Sequence, residues 1–328
     1  MDPELAALAA EHHGVVTLAD AERRRLTRAG VRWAVERGDL MRLATGAWCP
    51  REVWEASDER QRHLLRVRAA QSRRPRAVAC AESAAVVLGL PLQTVPPDAR
   101  LTVARQPPRH GGSGRRGSAR GRRAWLDDDE VVVVDGVRVT TPARTVVDLS
   151  RHASFPWALA AGDAAMWLLG ISADQLREAA DRNPCAPGHP RAVLVARHAD
   201  KRAESALESV ARGVMIHLGL PPAEPQVVLQ QDGLRYRVDL LVRTCWTVVE
   251  ADGKVKYRDD DPTAAQRVWL DKRRRDDLHD WGHEVVRFVM ADERHPVAWG
   301  RRCVRSFNRA YERRGLTTPD WGSRLSWW

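Results

Sequence analysis

Hydrophobic positions three and four apart give way, along this chain, to short runs of period two, and the two periods mark out its elements. Glu4 to Glu11 reads as a short helix ended at Gly14, and Val15 to Thr17 lead into a second helix, Leu18 to Arg25. Leu26-Thr27 supplies a turn and an N-cap for a third helix through Val31, Arg32, Val35 and Arg37, stopped by Gly38. LMRLATGAW then alternates as a strand, a turn and a returning strand. Three helices and a wing over residues 1–51 predict a winged helix-turn-helix, a unit whose third helix enters the major groove of DNA. Arg28, Arg32 and Arg37 on that helix, with Arg42 in the wing, are its candidate DNA contacts.

Residues 52–188 read as a middle α+β region. VWEASDERQRHLLRVRAAQ predicts one long helix, AESAAVVLGL a second, and LTVAR a short strand. RQPPRHGGSGRRGSARGRR, residues 105–123, holds arginine, glycine and proline without one acid, so it predicts a mobile loop or polyanion-binding arm. VVVVDGVRV predicts a hairpin with a type I′ turn at Asp135-Gly136. The acids Asp127 to Glu130 precede it as a solvated turn. PARTVVDLSRHA and FPWALAAGDAAMWLLG carry apolar helical stripes, and Ser172 with Gln175 forms a capping box for a further helix.

A third unit, residues 189–328, runs as a helix from Glu204 to Leu218, a strand near Gln226–Gln230, a hairpin, a basic helix from Ala264 to Trp281, a strand HEVVRFV and a last amphipathic helix. The hairpin YRVDLLVRTCWTVVEADGK sets Asp239, Glu250 and Asp252 among valines and leucines. A two-residue turn at Thr244-Cys245 puts Asp239 opposite Glu250, with Asp252 on the same face. Opposed Cβ atoms lie about 5 Å apart, so two ionised carboxylates there repel by roughly 3 kcal/mol at an effective dielectric of 20. Protonation, bridging arginines or a divalent cation would offset that cost. Hard oxygen ligands favour Mg²⁺ or Mn²⁺ over zinc. A purely structural reading pairs the acids with Arg235, Arg237 or Lys254. Glu204 and Glu208, four apart on the preceding helix, offer a third ligand, and periodicity does not choose between them.

Composition sharpens this picture. The 328 residues carry a formal net charge of +10 with 44% hydrophobic and 29% charged residues, which fits a folded chain with a polyanionic partner. Five cysteines without a CxxC pair read as isolated thiols of a reducing cytoplasm. No apolar run reaches transmembrane length, so the expected location is cytoplasmic and nucleoid-associated.

ESALESVARGVMIHLGLPP, RVDLL, VVEADGKVKY and LDKRRRDDLHDWGHEVVRF together resemble the very-short-patch-repair-like endonucleases of the PD-(D/E)XK superfamily, over Lys201 to about Glu293. GVVTLADAERRRLTRAGVRWAVERGDLMRLATGAW is similar to the winged-helix domain of AbiEi-type antitoxins, and VVVVDGVRVTTPARTVVDLSR fits the region that follows it there. The first resemblance implies an αβββαβ core around a mixed sheet and metal-dependent hydrolysis of a DNA phosphodiester. Asp239, Glu250 and Glu208 would hold Mg²⁺ or Mn²⁺, Asp252 matches the acid of the family's ExDG motif, and Lys254 or Lys256 would offset phosphate charge. Lys272 and Arg274 would clamp neighbouring phosphates. The superfamily's Pro before the first Asp is Val238 here, and Asp252 stands where its Lys is expected. The second resemblance implies a DNA-binding regulator that keeps an inactive nuclease fold and has a toxin partner. Double-strand cutting with one site per chain would imply a homodimer.

Overall fold

The computed structural model describes residues 2–103, 114–116, 119–122, 126–182, 184–253 and 264–321. The chain divides into two compact units, Met1–Leu149 and Ser150–Trp328.

The first unit opens with helix α1 (Pro3–Glu11), strand β1 (Val16–Thr17), helices α2 (Leu18–Arg23) and α3 (Arg28–Glu36), and strands β2 (Leu40–Ala44) and β3 (Ala47–Pro50). β3 lies between β1 and β2 in an antiparallel sheet. Leu5, Leu8, Val16, Ala21, Val31, Ala34 and Leu40 close the core, which gives the winged-helix arrangement expected. α2 stops at Arg23, short of the expected Arg25, because Arg25 takes a left-handed backbone (φ 61°) that no helix continues through.

The expected long helix is two, α4 (Arg51–Ala56) and α5 (Glu59–Ser72). Asp58 breaks it: its carboxylate accepts from Gln61 N–H and its own N–H donates to Gln61 Oε1, both at 2.8 Å, a reciprocal cap that starts α5 afresh. Strand β4 (Ala77–Ala79), helix α6 (Ala81–Val87) and strands β5 (Ala99–Val103), β6 (Gly114–Arg116), β7 (Ala119–Arg122), β8 (Val131–Val134) and β9 (Val137–Thr140) follow, then helix α7 (Pro142–Ser150). The six strands form one sheet in the order β6-β7-β5-β4-β9-β8. Residues 105–123, expected as a mobile loop, thus contribute β6 and β7; the rest of that segment lies outside the described residues. The β8–β9 turn has positive φ at both Asp135 (46°) and Gly136 (75°), as a type I′ turn requires. Glu130, expected in a solvated turn, is buried and accepts from Arg144 at 2.8 Å. His63 of α5 is fully enclosed between the carbonyl oxygen of Pro96 and the Ser83 hydroxyl, each at 2.7 Å, and burial pushes its pKa down to about 4.

The second unit holds helices α8 (Phe155–Leu169), α9 (Ala173–Asp181), α10 (His189–His198) and α11 (Ala206–His217) and strands β10 (Glu224–Gln231), β11 (Leu234–Val242) and β12 (Thr247–Ala251). Helix α12 (Ala264–Asp280), strand β13 (Glu284–Phe288) and helices α13 (Met290–Glu293) and α14 (Pro296–Glu312) complete it. The boundary expected at residue 188 falls instead at 149, since α8 and α9 belong with the C-terminal elements. α8 is apolar nearly all round and packs on α11, where a Cβ on Gly213 would stand 2.6 Å from Pro156 Cα. Arg212 Nη2 of α11 donates to both carboxylate oxygens of Asp163 of α8, at 2.8 and 2.7 Å, and both residues are buried. Ser172 and Gln175 form the expected capping box of α9.

The C-terminal sheet has the order β10-β11-β12-β13, antiparallel through β12 and parallel between β12 and β13. Val210, Val214, Leu240, Val249, Phe288, Trp299 and Phe307 pack on one face, under α11 and α14. Leu241, Val248 and Leu278 fill the other, under α12. No helix among the described residues is long and apolar enough to cross a membrane. All five cysteines are free thiols, and only Cys185 is exposed.

Candidate nucleic-acid interface and carboxylate site

Two sets of residues carry chemistry. The first is the outer face of α3. Thr27 caps the helix by accepting from Gly30 N–H at 3.0 Å, and Val31 and Ala34 turn inward. The 3.6-residue period therefore leaves Arg28, Arg32, Trp33, Glu36 and Arg37 facing solvent. Arg28 pairs with Glu22 at 2.7 Å, Arg32 with Glu36 at 3.5 Å and Arg37 with Asp39. Arg42, exposed on β2, reaches the Thr45 hydroxyl at 3.4 Å. Such exposed pairs are worth about 0.2–1 kcal/mol each, so a phosphate can take these guanidiniums over at little cost. Sequence reasoning missed Trp33, which is 56% exposed and carries the Arg37 guanidinium 4.1 Å above its ring. Its position four residues before Arg37 on the same face made that stack legible.

The second set lies on the α12 face of the C-terminal sheet. Leu240 pairs with Val249, Leu241 with Val248 and Val242 with Thr247, and this register carried one step further sets Asp239 opposite Glu250. The connection is one helical turn over Arg243–Cys245, closed by Trp246 at φ 44°, and not the expected two-residue turn. The register is nonetheless the same, because apolar alternation on both strands fixes it.

Glu250 is largely buried. Burial raises its pKa most, Arg274 and then Arg287 oppose the rise, and the charge of Asp239 with a hydrogen bond between the two carboxyls reinforces it; the net result is about 7. One Asp239 oxygen accepts from Ala251 N–H at 2.9 Å. Arg274, expected as a phosphate clamp, turns inward: its Nη2 donates to Glu250 Oε1 at 2.8 Å and to the Arg237 carbonyl oxygen at 2.7 Å. The reason is the carboxyl pair beneath it, a stronger attractor for an inward guanidinium than solvent. Lys272 on the same helix stays exposed. Asp252 pairs with Arg287 at 3.1 Å. Glu250, Asp252, Asp271, Arg274, Arg275 and Arg287 line one cleft of about 140 Å³.

Glu208 stands apart from these acids. Buried on α11, it accepts from Gln226 Nε2 at 2.7 Å and Glu204 N–H at 3.2 Å. Gln226 takes a left-handed backbone (φ 54°) between the paired residues Pro225 and Val227, which aims its amide at Glu208. Glu204 instead makes a bidentate pair with Arg237, at 2.9 Å on each arm. The donor chemistry of Asp239 and Glu250 suits a hard divalent cation, but no group of three or more metal-ligating side chains converges among the described residues. Lys254 and Lys256 lie outside the described residues.

Comparison with known proteins bears on the first set. Residues 3–51 match the family model described as "Transcriptional regulator, AbiEi antitoxin". The chain is also similar to two uncharacterized proteins of Mycobacterium tuberculosis, MT2308 of strain CDC 1551 / Oshkosh and Rv2248 of strain ATCC 25618 / H37Rv. Each is 32% identical over 179 residues, which cover 54% of this chain and 64% of the relative. The N-terminal winged helix thus matches the AbiEi-type antitoxin regulator domain over residues 3–51.

Proposed function

We propose that the chain is a DNA-binding transcriptional regulator of AbiEi antitoxin type that grips duplex DNA through α3 and the β2–β3 wing. The observation that carries this reading is the α3 surface, where Arg28, Arg32, Trp33 and Arg37 all face solvent while the opposite side is core. The arginines supply phosphate and base-edge contacts, and Trp33 supplies an apolar plane for a base edge or sugar. The C-terminal unit then serves as an interaction module, and a toxin is the partner that this class implies. A footprint on DNA upstream of the chain's own coding region tests the reading. Protection by the wild type that vanishes with Arg32→Ala and Trp33→Ala is expected. Equal protection by the variants would refute it.

A second reading, a metal-dependent endodeoxyribonuclease, is favoured by one observation: two carboxyl groups, Asp239 and Glu250, oppose each other on neighbouring strands, where Glu250 is largely shielded from solvent. The element order α11-β10-β11-β12-α12-β13 around a mixed sheet also supports it. Asp239 and Glu250 would hold Mg²⁺ or Mn²⁺, which when bound supplies an activated water and a counter-charge for the phosphate. Arg274 would have to leave Glu250 first. Its release could place the guanidinium on a phosphate oxygen, the role otherwise assigned to a lysine. Plasmid cleavage by wild type and Glu250→Gln with Mg²⁺, Mn²⁺ or EDTA separates the readings: nicking that needs both metal and Glu250 selects the nuclease, and binding without cleavage selects the regulator. Two copies of the chain would be needed for a double-strand cut.

A further inference from the structure

The edge of the C-terminal sheet carries a second basic surface that shares only Arg287 with the residues named in either reading. α14 begins at Pro296 and buries Trp299, Cys303, Ser306, Phe307 and Ala310 along one stripe. The spacing leaves Arg302, Arg305 and Arg309 on the flank that faces the edge strand β13. With Arg287 of β13 and Asp292 of α13 they line a cleft of about 380 Å³ floored by Val285, Val286 and Val289. Four guanidiniums therefore meet one lining carboxylate.

Counting their paired acids, Arg287, Arg302, Arg305, Arg309 and Arg313 meet three carboxylates, Asp252, Glu284 and Asp292, which leaves a positive excess. Asp292 is 8% exposed and holds Arg302 at 2.6 Å, and Glu284 is 6% exposed and holds Arg309 at 2.9 Å. Arg313 reaches Glu284 from its other side at 2.6 Å, and Arg287 pairs with Asp252. These pairs anchor the guanidiniums while their outer edges stay open, since the side chains of Arg302 and Arg309 are 42% and 53% exposed. Arg305 is exposed and has no carboxylate partner among the described residues. Two anchored cations flanking a free one, in a concave slot, form a seat for an anion in which only the middle guanidinium has to be ordered on binding.

We propose that this β13–α14 cleft is a second DNA-contact surface, which takes backbone phosphates of a duplex in a sequence-independent way. It rests on the reading of the chain as a DNA-binding protein, but it belongs to the second unit and shares no residue with α3. The arginine fork matches phosphate oxygens in pairs. Such a surface adds affinity and salt sensitivity without adding sequence preference.

The test is fluorescence anisotropy of the full-length protein on a mixed-sequence duplex from low to moderate salt, with Arg305→Glu, Arg305→Gln, Arg32→Glu and, as a control of equal charge change, Arg197→Glu on the exposed face of α10. Arg305 carries no ion pair, so its replacement leaves the fold intact, and matching thermal unfolding curves verify this. The expected result is affinity at least fivefold weaker for Arg305→Glu than for Arg197→Glu, with the slope of log K against log salt lowered by about 0.9 in Arg305→Gln. Arg305 variants that behave as Arg197→Glu while Arg32→Glu loses binding would overturn the cleft and leave the winged-helix reading standing. Loss in the Arg305 variants with no loss in Arg32→Glu would support the cleft and overturn the winged-helix reading. No loss in any variant would overturn both.

Discussion

On α3 Arg28 and Arg32 pair with carboxylates that are themselves open to water, whereas on the C-terminal unit Arg212 reaches a carboxylate that is fully buried and Arg274 one that is partly so. The residue type is the same and the physical consequence is opposite. An exposed pair is weak and exchangeable, so its guanidinium remains available to DNA. A buried pair is fixed by the desolvation its partner has already undergone, and removing the cation strands a charge in a low-dielectric setting. The basic excess of the chain is therefore not one undifferentiated field. Part of it forms weak, exchangeable surface pairs and part of it holds the fold together.

The contrast is broken most severely at the Arg212–Asp163 pair. Burial raises the Asp163 pKa while Arg212 opposes that rise. Arg212→Ala is expected to destabilise the second unit by about 3–5 kcal/mol in urea titrations, because Asp163 is left buried without its counter-ion. A loss below 1 kcal/mol would place that pair with the exposed ones.

Next in size are two pH effects of opposite sign. Glu250 binds its proton more tightly folded (about 7) than unfolded (4.5), so its contribution is present below pH 4.5 and is lost as pH rises through 7. The span is worth on the order of 3 kcal/mol, and Glu250→Gln should remove that decline, with a smaller stability drop than wild type between pH 5 and 8. His63 does the reverse. Its folded pKa of about 4 lies below the ordinary 6.5, so its contribution is full above pH 6.5 and falls as pH drops toward 4. His63→Gln should flatten the acid side of the melting profile and leave the alkaline side alone. Equal pH profiles for wild type and both variants would show that neither group is coupled to folding.

The smallest stability effect belongs to the α3 pairs. Arg28→Ala should change stability by less than about 0.5 kcal/mol while still weakening DNA binding. A stability loss comparable to that of Arg212→Ala would erase the distinction between the two regions.

What could be read from the sequence divides along the same line. The helix start at Thr27, the I′ turn at Asp135-Gly136, the α9 capping box and the opposition of Asp239 to Glu250 were legible, because each depends on neighbours within one element or one hairpin. The break between α4 and α5 was also written locally, in Asp58 and Gln61, but the helical period running through them masked it. The inward turn of Arg274 was not legible. It depends on how α12 lies across strands twenty-four residues away, and spacing alone gave that arginine to solvent. The assignment of α8 to the second unit was hidden for a similar reason, since it rests on Gly213 meeting Pro156 and Arg212 meeting Asp163 across long stretches of chain.

The measurement that tests the central claim most directly is a salt titration of duplex-DNA binding by the full-length wild type and the Arg28→Ala, Arg32→Ala, Arg37→Ala triple variant. If α3 is the principal contact, the variant binds more weakly at every salt concentration and its log–log slope falls by about 2 to 3, one increment for each lost phosphate contact. A variant with the affinity and slope of the wild type would contradict the account and remove α3 from the DNA-binding surface.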